Sequence, residues 1–241
     1  MGTARRMAQG GRWWMPAVLA LGVALAPLLA RAEDVGKPQR IVSLNLCADQ
    51  LLLSLVEPQR IAALTFRAAD PRLSTQADAA RGVHIIQGRT EEVLALAPDL
   101  VVTGPFNARS LTEALARHRV RLFELGVPEN FSELGRELQR LGAALGETER
   151  ALAMADSIAL RLARLAPASA GPRPRAVLIQ ANGFNPGRGT FADDVMARAG
   201  FDNLARIEGI EGWGILGLER LVAAGPQALV IDRDDRGGAA L

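Results

Sequence analysis

Two segments of this chain follow one design, and that duplication limits the folds open to it. In residues 91–102 a glutamate opens a short apolar helix, Pro98 ends it, and Asp99-Leu100-Val101-Val102 follows as a buried-type strand. Residues 218–231 repeat the scheme, with Glu219 near the start, Pro226 after the helix and Ala228-Leu229-Val230-Ile231 as the strand. Such a unit lays one apolar helix face on a sheet. Two copies far apart in one chain predict two β/α lobes.

The remaining pattern fits that frame. Strand-like runs at 40–44, 60–64, 83–86, 99–102 and 120–123 alternate with helical patterns at 48–56, 90–96 and 109–118. That alternation predicts a mostly parallel sheet with helices on its faces. Thr90 is expected to cap its helix, with Glu91 and Glu92 in the first turn where negative charge suits the macrodipole. After Pro128 the period changes. Asn130 and Glu133 form a capping pair, and apolar spacing through Leu134, Leu138, Leu141 and Leu145, then Leu152, Ala155, Ala159 and Leu160, predicts one long helical stretch over 131–165, interrupted at Gly146. A Pro/Ala/Gly-rich break at 167–174 precedes a strand at 176–179 and a helix capped by Thr190 and closed by Gly200. The expected architecture is α/β: two Rossmann-like β/α lobes, over 33–130 and 172–241, joined by a long linking helix over 131–166. Residues 233–241 are charged and Gly/Ala-rich with no helical or strand period, so the second lobe is expected to be incomplete, as if truncated.

The first 32 residues read as a targeting segment rather than as fold. Arg5, Arg6 and Arg12 precede an apolar run over 13–29, and Ala30-Arg31-Ala32 is a small-residue cleavage signature. This predicts a secretory signal peptide cut after Ala32 and a periplasmic product. Removing it changes the charge reading. The chain holds 28 basic and 26 acidic residues; four arginines and no acid lie in residues 1–32, leaving 24 and 26. Nothing there resembles the basic stripe of a nucleic-acid binder. Cys47 is the only cysteine; it cannot form an internal disulfide and is expected as a small buried residue.

At this point the order of motifs resembles a known family, the class III (cluster A) substrate-binding proteins of ABC importers, which bind cobalamin, ferric siderophores and haem. Three segments carry the resemblance: 40–52 as the opening strand, loop and helix; 91–102, which matches the family's E-x-h-h-x-L-x-P-D-L-V segment; and its second copy at 218–231. The resemblance implies a binding protein, not an enzyme, with no cofactor of its own. It would work as a monomer, with the importer's membrane subunits as partners. It implies that Glu91 and Glu219, one per lobe, dock onto basic pockets of those subunits; Glu92 is the structural neighbour. It places the ligand between the lobes, at the carboxyl ends of the strands. The bordering loops then offer Asn45 and Leu46, Phe66 and Arg67, Phe106 and Asn107, Phe184, and Trp213 between two glycines. The aromatics suit a macrocycle and Arg67 an anionic group. A stiff linking helix implies a small closure on binding.

Other readings are weaker. Gly187-Arg188-Gly189-Thr190-Phe191-Ala192 matches G-x-G-x-x-A and would suit an exported nucleotide-binding enzyme, but the strand ends well before it, without the tight turn that fingerprint needs. A hydrolase lacks its G-x-S-x-G elbow, and His84 and His118 sit in separate elements. Those same two histidines make a free Zn or Mn site unlike this chain. Metal is expected inside a chelate. Few basic residues in the loops disfavour highly anionic siderophores, and the opening segment tilts the expectation toward cobalamin.

Overall fold

The computed structural model describes residues 36–165, 171–180 and 183–231. The signal segment, the centre of the 167–174 break, Asn182 and the 233–241 tail lie outside the described residues.

The first lobe is a five-stranded parallel sheet. Its strands are β1 (Ile41–Ser43), β2 (Ile61–Thr65), β3 (Ile85–Ile86), β4 (Leu100–Thr103) and β5 (Leu122–Glu124), in the order β3-β2-β1-β4-β5. Helices α1 (Leu46–Leu55), α2 (Thr90–Ala95) and α3 (Arg109–Arg117) lie in the connections. Strand residues alternate between two helical layers, because successive side chains point to opposite faces. Ile41, Leu64, Leu100 and Val102 face α1, together with Leu52 and Leu55. Val42, Ala63 and Val101 face Val93 of α2 and Leu111 and Leu115 of α3. Every one of these positions is buried, which is why the strands read as continuous apolar runs.

The linking stretch is helical, but it is not one rod. It forms α4 (Phe131–Leu145) and α5 (Thr148–Ala163), folded back on each other. Gly146 is the cause. It holds a left-handed φ of 70° and ends α4. Close approach of the two helices needs a second glycine: a Cβ on Gly142 would meet the Cβ of Ala151 at 2.3 Å. The hairpin buries Leu141, Leu145 and Ala151 against the first lobe. Of the apolar positions that predicted a continued stripe in α5, Leu152 and Leu160 are exposed. We expect Leu145→Ala to cost about 2–5 kcal/mol of stability, because the cavity would open at the seam between hairpin and sheet. Urea unfolding checks this.

The second lobe is smaller. Parallel strands β6 (Arg175–Ile179), β8 (Asp202–Asn203) and β10 (Ala228–Ile231) take the order β10-β6-β8, and β7 (Phe184–Pro186) pairs antiparallel with β9 (Trp213–Ile215). Helices α6 (Phe191–Arg198), α7 (Leu204–Ile207) and α8 (Leu218–Ala224) accompany them. Its core is Val177, Leu204 and Leu216, with Ile179, Ile210 and Leu221 against them. β10 is an edge strand, and Leu229, Val230 and Ile231 are exposed.

Candidate functional site

In the 3-2-1-4-5 order the chain reverses direction across the sheet between β1 and β4, and the crevice outside their carboxyl ends is where such sheets receive ligands. Two of the expected contact residues turn out to build that crevice. The Asn45 side chain caps α1 by accepting from the Ala48 N–H at 2.9 Å. Asn107 accepts from the Gly104 N–H at 2.6 Å and donates to the Leu44 carbonyl at 3.1 Å. Together they tie the β1–α1 turn to the β4–α3 loop. Leu46 opens α1 beside them and is half-buried.

Under this crevice lies a carboxylate that sequence reasoning missed. Asp49 in α1 is fully buried and accepts from both the backbone N–H and the hydroxyl of Thr65, at 3.1 and 2.5 Å. Burial pushes its carboxyl up from the ordinary value, and hydrogen bonds from Thr65 and Ser43 offset part of that. It fixes the carboxyl end of β2, from which the next residues, Phe66 and Arg67, project. Both are exposed, and the Arg67 guanidinium lies 4.8 Å from the Phe66 ring centroid. Phe106, in the loop after β4, is 91 % exposed. Cys47 is exposed as well, contrary to expectation. The helical phase that buries Ala48, Asp49 and Leu52 turns position 47 outward. Desolvation, with the Asp49 charge nearby, pushes the thiol up from its ordinary value.

The second lobe presents a two-stranded ribbon at the carboxyl end of β6. In the β7–β9 pair Phe184 lies opposite Ile215 and Pro186 opposite Trp213, which puts all four side chains on one face. Phe184, Trp213 and Ile215 are exposed there. On the other face Asn185 is buried, donating to the Leu178 carbonyl and accepting from the Leu216 N–H. The glycines are structural. A Cβ on Gly187 would meet the Ile210 carbonyl oxygen at 2.0 Å, and Gly212 holds φ +64°. The Gly187–Ala192 match is therefore turn chemistry at a ribbon and a Thr190-capped helix, not a phosphate loop.

The lobes meet at the start of α4. The Phe131 N–H donates to Asp194 of α6 at 3.1 Å, and the Phe131 and Phe191 rings lie 4.8 Å apart. The Glu129 carboxylate is 3.6 Å from where a Gly189 Cβ would stand. The ribbon side of the second lobe thus adjoins the loop after β5, on the carboxyl-end side of the first. A shallow groove of about 510 Å³ between α4 and α5 is elsewhere, on the hairpin.

Glu91 and Glu219 occupy matching places. Each is the second residue of its helix, α2 or α8, and each is exposed. Both helices run toward the amino end of the strand that follows, so both glutamates stand on the carboxyl-end side. Neither makes a hydrogen bond or ion pair among the described residues. Glu92 differs: it accepts from the Arg89 and Gln87 N–H groups and pairs with the Arg89 guanidinium. Arg89, not Thr90, is the N-cap, because Glu92 reaches back to its N–H.

At the opposite end, Glu147 binds Lys37 at 3.2 Å and also Arg60, whose guanidinium further donates to the Leu145 carbonyl. Burial alone raises the Glu147 carboxyl, but the Lys37 and Arg60 hydrogen bonds outweigh it and hold the group below its ordinary value of 4.5. A depressed folded-state value stabilises the fold above the unfolded value, and that contribution is lost as pH falls through the folded one. We expect Glu147→Gln to lower stability at pH 7 and to flatten its decline below about pH 4.5. Urea midpoints at pH 7, 5 and 3.5 check this.

The two parallel-sheet lobes, their connecting hairpin and the aromatic-lined strand ends define a ligand-binding protein of the two-lobed kind. The chain belongs to the periplasmic binding protein family, whose family model matches residues 41–238. It has the class III (cluster A) form, and it is a binding protein, not an enzyme. No curated protein matches it by sequence. Among solved structures it is similar to a periplasmic heme-binding protein from Pseudomonas aeruginosa, at 28% identity and a TM-score of 0.68 over 80% of this chain and 71% of that one. It is also similar in fold to the heme-binding protein RhuT from Roseiflexus (24%, TM-score 0.69, 81% and 76%) and to the vitamin B12-binding protein BtuF of Vibrio cholerae (17%, TM-score 0.63, 81% and 76%).

Proposed function

We propose that this protein is exported to the periplasm after cleavage behind Ala32. There it captures a bulky metal chelate between its lobes and delivers it to the membrane subunits of an ABC importer. The chelate is of the cobalamin, ferric siderophore or haem kind. The observation that carries this reading is the exposure of large aromatics where a soluble protein would bury them. Phe66 and Phe106 stand exposed after the carboxyl ends of β2 and β4, and Phe184 and Trp213 stand exposed on the ribbon that adjoins the carboxyl end of β6. A broad apolar ligand is what such a surface fits. Delivery rests on Glu91 and Glu219, which are spaced one per lobe and held by no partner among the described residues.

The test is a titration of residues 33–241 with cyanocobalamin, haemin and a ferric siderophore, followed by tryptophan fluorescence. Saturable quenching by one chelate at micromolar affinity or tighter is expected. A folded protein that responds to none of the three overturns the reading.

A further inference from the structure

The chemistry of the cleft narrows the chelate further, taking the proposed capture role as its premise. Haem iron held by protein needs an axial side chain, and the usual donors are His, Tyr, Cys and Met. This chain contains no tyrosine. His84 immediately precedes β3, and His118 follows α3 on its way to β5; both lie at the amino ends of the strands, away from the cleft. Met196 is buried in α6 and Met154 packs against the first lobe's core. Cys47 does stand at the rim, in the first turn of α1 next to the buried Asp49, whose charge opposes a thiolate there.

Charge at the rim is as sparse as metal donors. Arg89 pairs with Glu92, Arg188 with Glu211 and Arg206 with Asp193. Among the described residues at the strand carboxyl ends, Arg67 is the arginine without an ion pair. Its guanidinium is steadied over Phe66, leaving its N–H groups directed to solvent or ligand. Glu124 and Glu129 stand exposed on the same side. A lone cation near the buried Asp49, on a rim that elsewhere carries acids, offers a partner to one anionic group and none to a second.

We propose that the cleft selects a planar chelate whose metal is already fully coordinated, held by its apolar faces, with one phosphodiester-like anion bound by Arg67. A corrinoid with its nucleotide loop has this chemistry; an open-coordination dianionic porphyrin or a polyanionic ferric chelate does not.

Three probes and two variants test it. Cyanocobalamin carries the phosphodiester, dicyanocobinamide has the same ring without it, and haemin offers an open axial site and two carboxylates. The mature chain is expected to bind both corrinoids, and to bind haemin at least about thirtyfold more weakly without a shifted Soret band. Arg67→Gln is expected to weaken cyanocobalamin about tenfold and to leave dicyanocobinamide unchanged. Equal weakening of both corrinoids, or of neither, overturns the role of Arg67. Tight haemin binding with a Soret shift that Cys47→Ser abolishes overturns the coordination argument while leaving chelate capture standing. Binding of none of the chelates overturns the capture reading, and this inference with it.

Discussion

Replacing Glu91 and Glu219 together by arginine should lower uptake of the chelate by about two orders of magnitude while its affinity for the free protein stays within about twofold. The reason is geometric. Both carboxylates are exposed on the carboxyl-end side, one per lobe, and neither supports its own fold through a hydrogen bond among the described residues. Charges at such rims set orientation and encounter rate. Each single reversal should cost about a tenth of the double effect in fold terms, because one anchored lobe still docks in the right register. Whole-cell uptake with the matching importer, beside fluorescence titration of the purified variants, separates the two quantities. If affinity falls with uptake, the glutamates belong to the pocket. Glu92→Arg serves as the opposite control: it removes the side chain that reaches back to the Arg89 N–H, so it should lower the thermal midpoint rather than transport.

The second large effect concerns the ribbon. Phe184→Ala with Trp213→Ala should reduce chelate affinity by about 100- to 1,000-fold, since buried aromatic anchors each contribute on the order of 2 kcal/mol or more at a binding surface. Both side chains are exposed, 40 % and 54 %. Their removal therefore takes little from the core, and the thermal midpoint should move by no more than about two degrees. Trp213→Phe should recover most of the affinity, because it keeps a flat apolar ring at the same register position. Unchanged affinity in the double variant would move the site off the ribbon.

The first lobe was legible because its strands are short aliphatic runs, with Pro58 and Pro98 ending the helices before β2 and β4 and Pro128 following β5. Local chemistry alone places such elements. The second lobe's ribbon was not legible. Its strands are three residues long, rich in glycine and proline, and hold together by pairing between residues about thirty apart. Trp213 on it was singled out by its glycine neighbours, yet those glycines serve close packing on Ile210 and a positive φ. Gly146 was visible as an interruption, but only its left-handed φ shows that the helix turns back instead of kinking. Asn45 and Asn107 were expected to line the loops; in the fold Asn45 caps α1 and Asn107 ties the β4–α3 loop to Leu44. Asp49 escaped notice because an acid in a helix's first turn is ordinary; its burial against Thr65 is a tertiary fact.

The helical hairpin also sets an order of events in a chain made from its N-terminus. Leu141, Leu145 and Ala151 complete the layer over Ile41, Leu55 and Leu100, although the last strand of that sheet ends at Glu124. Until residue 151 has emerged, α1 covers only part of that oily face and the rest has nothing to lie on it. A nascent chain halted between 124 and 151 is thus the species most in need of a chaperone, and a limited-proteolysis series of stalled lengths would show protection arriving in one step near that point.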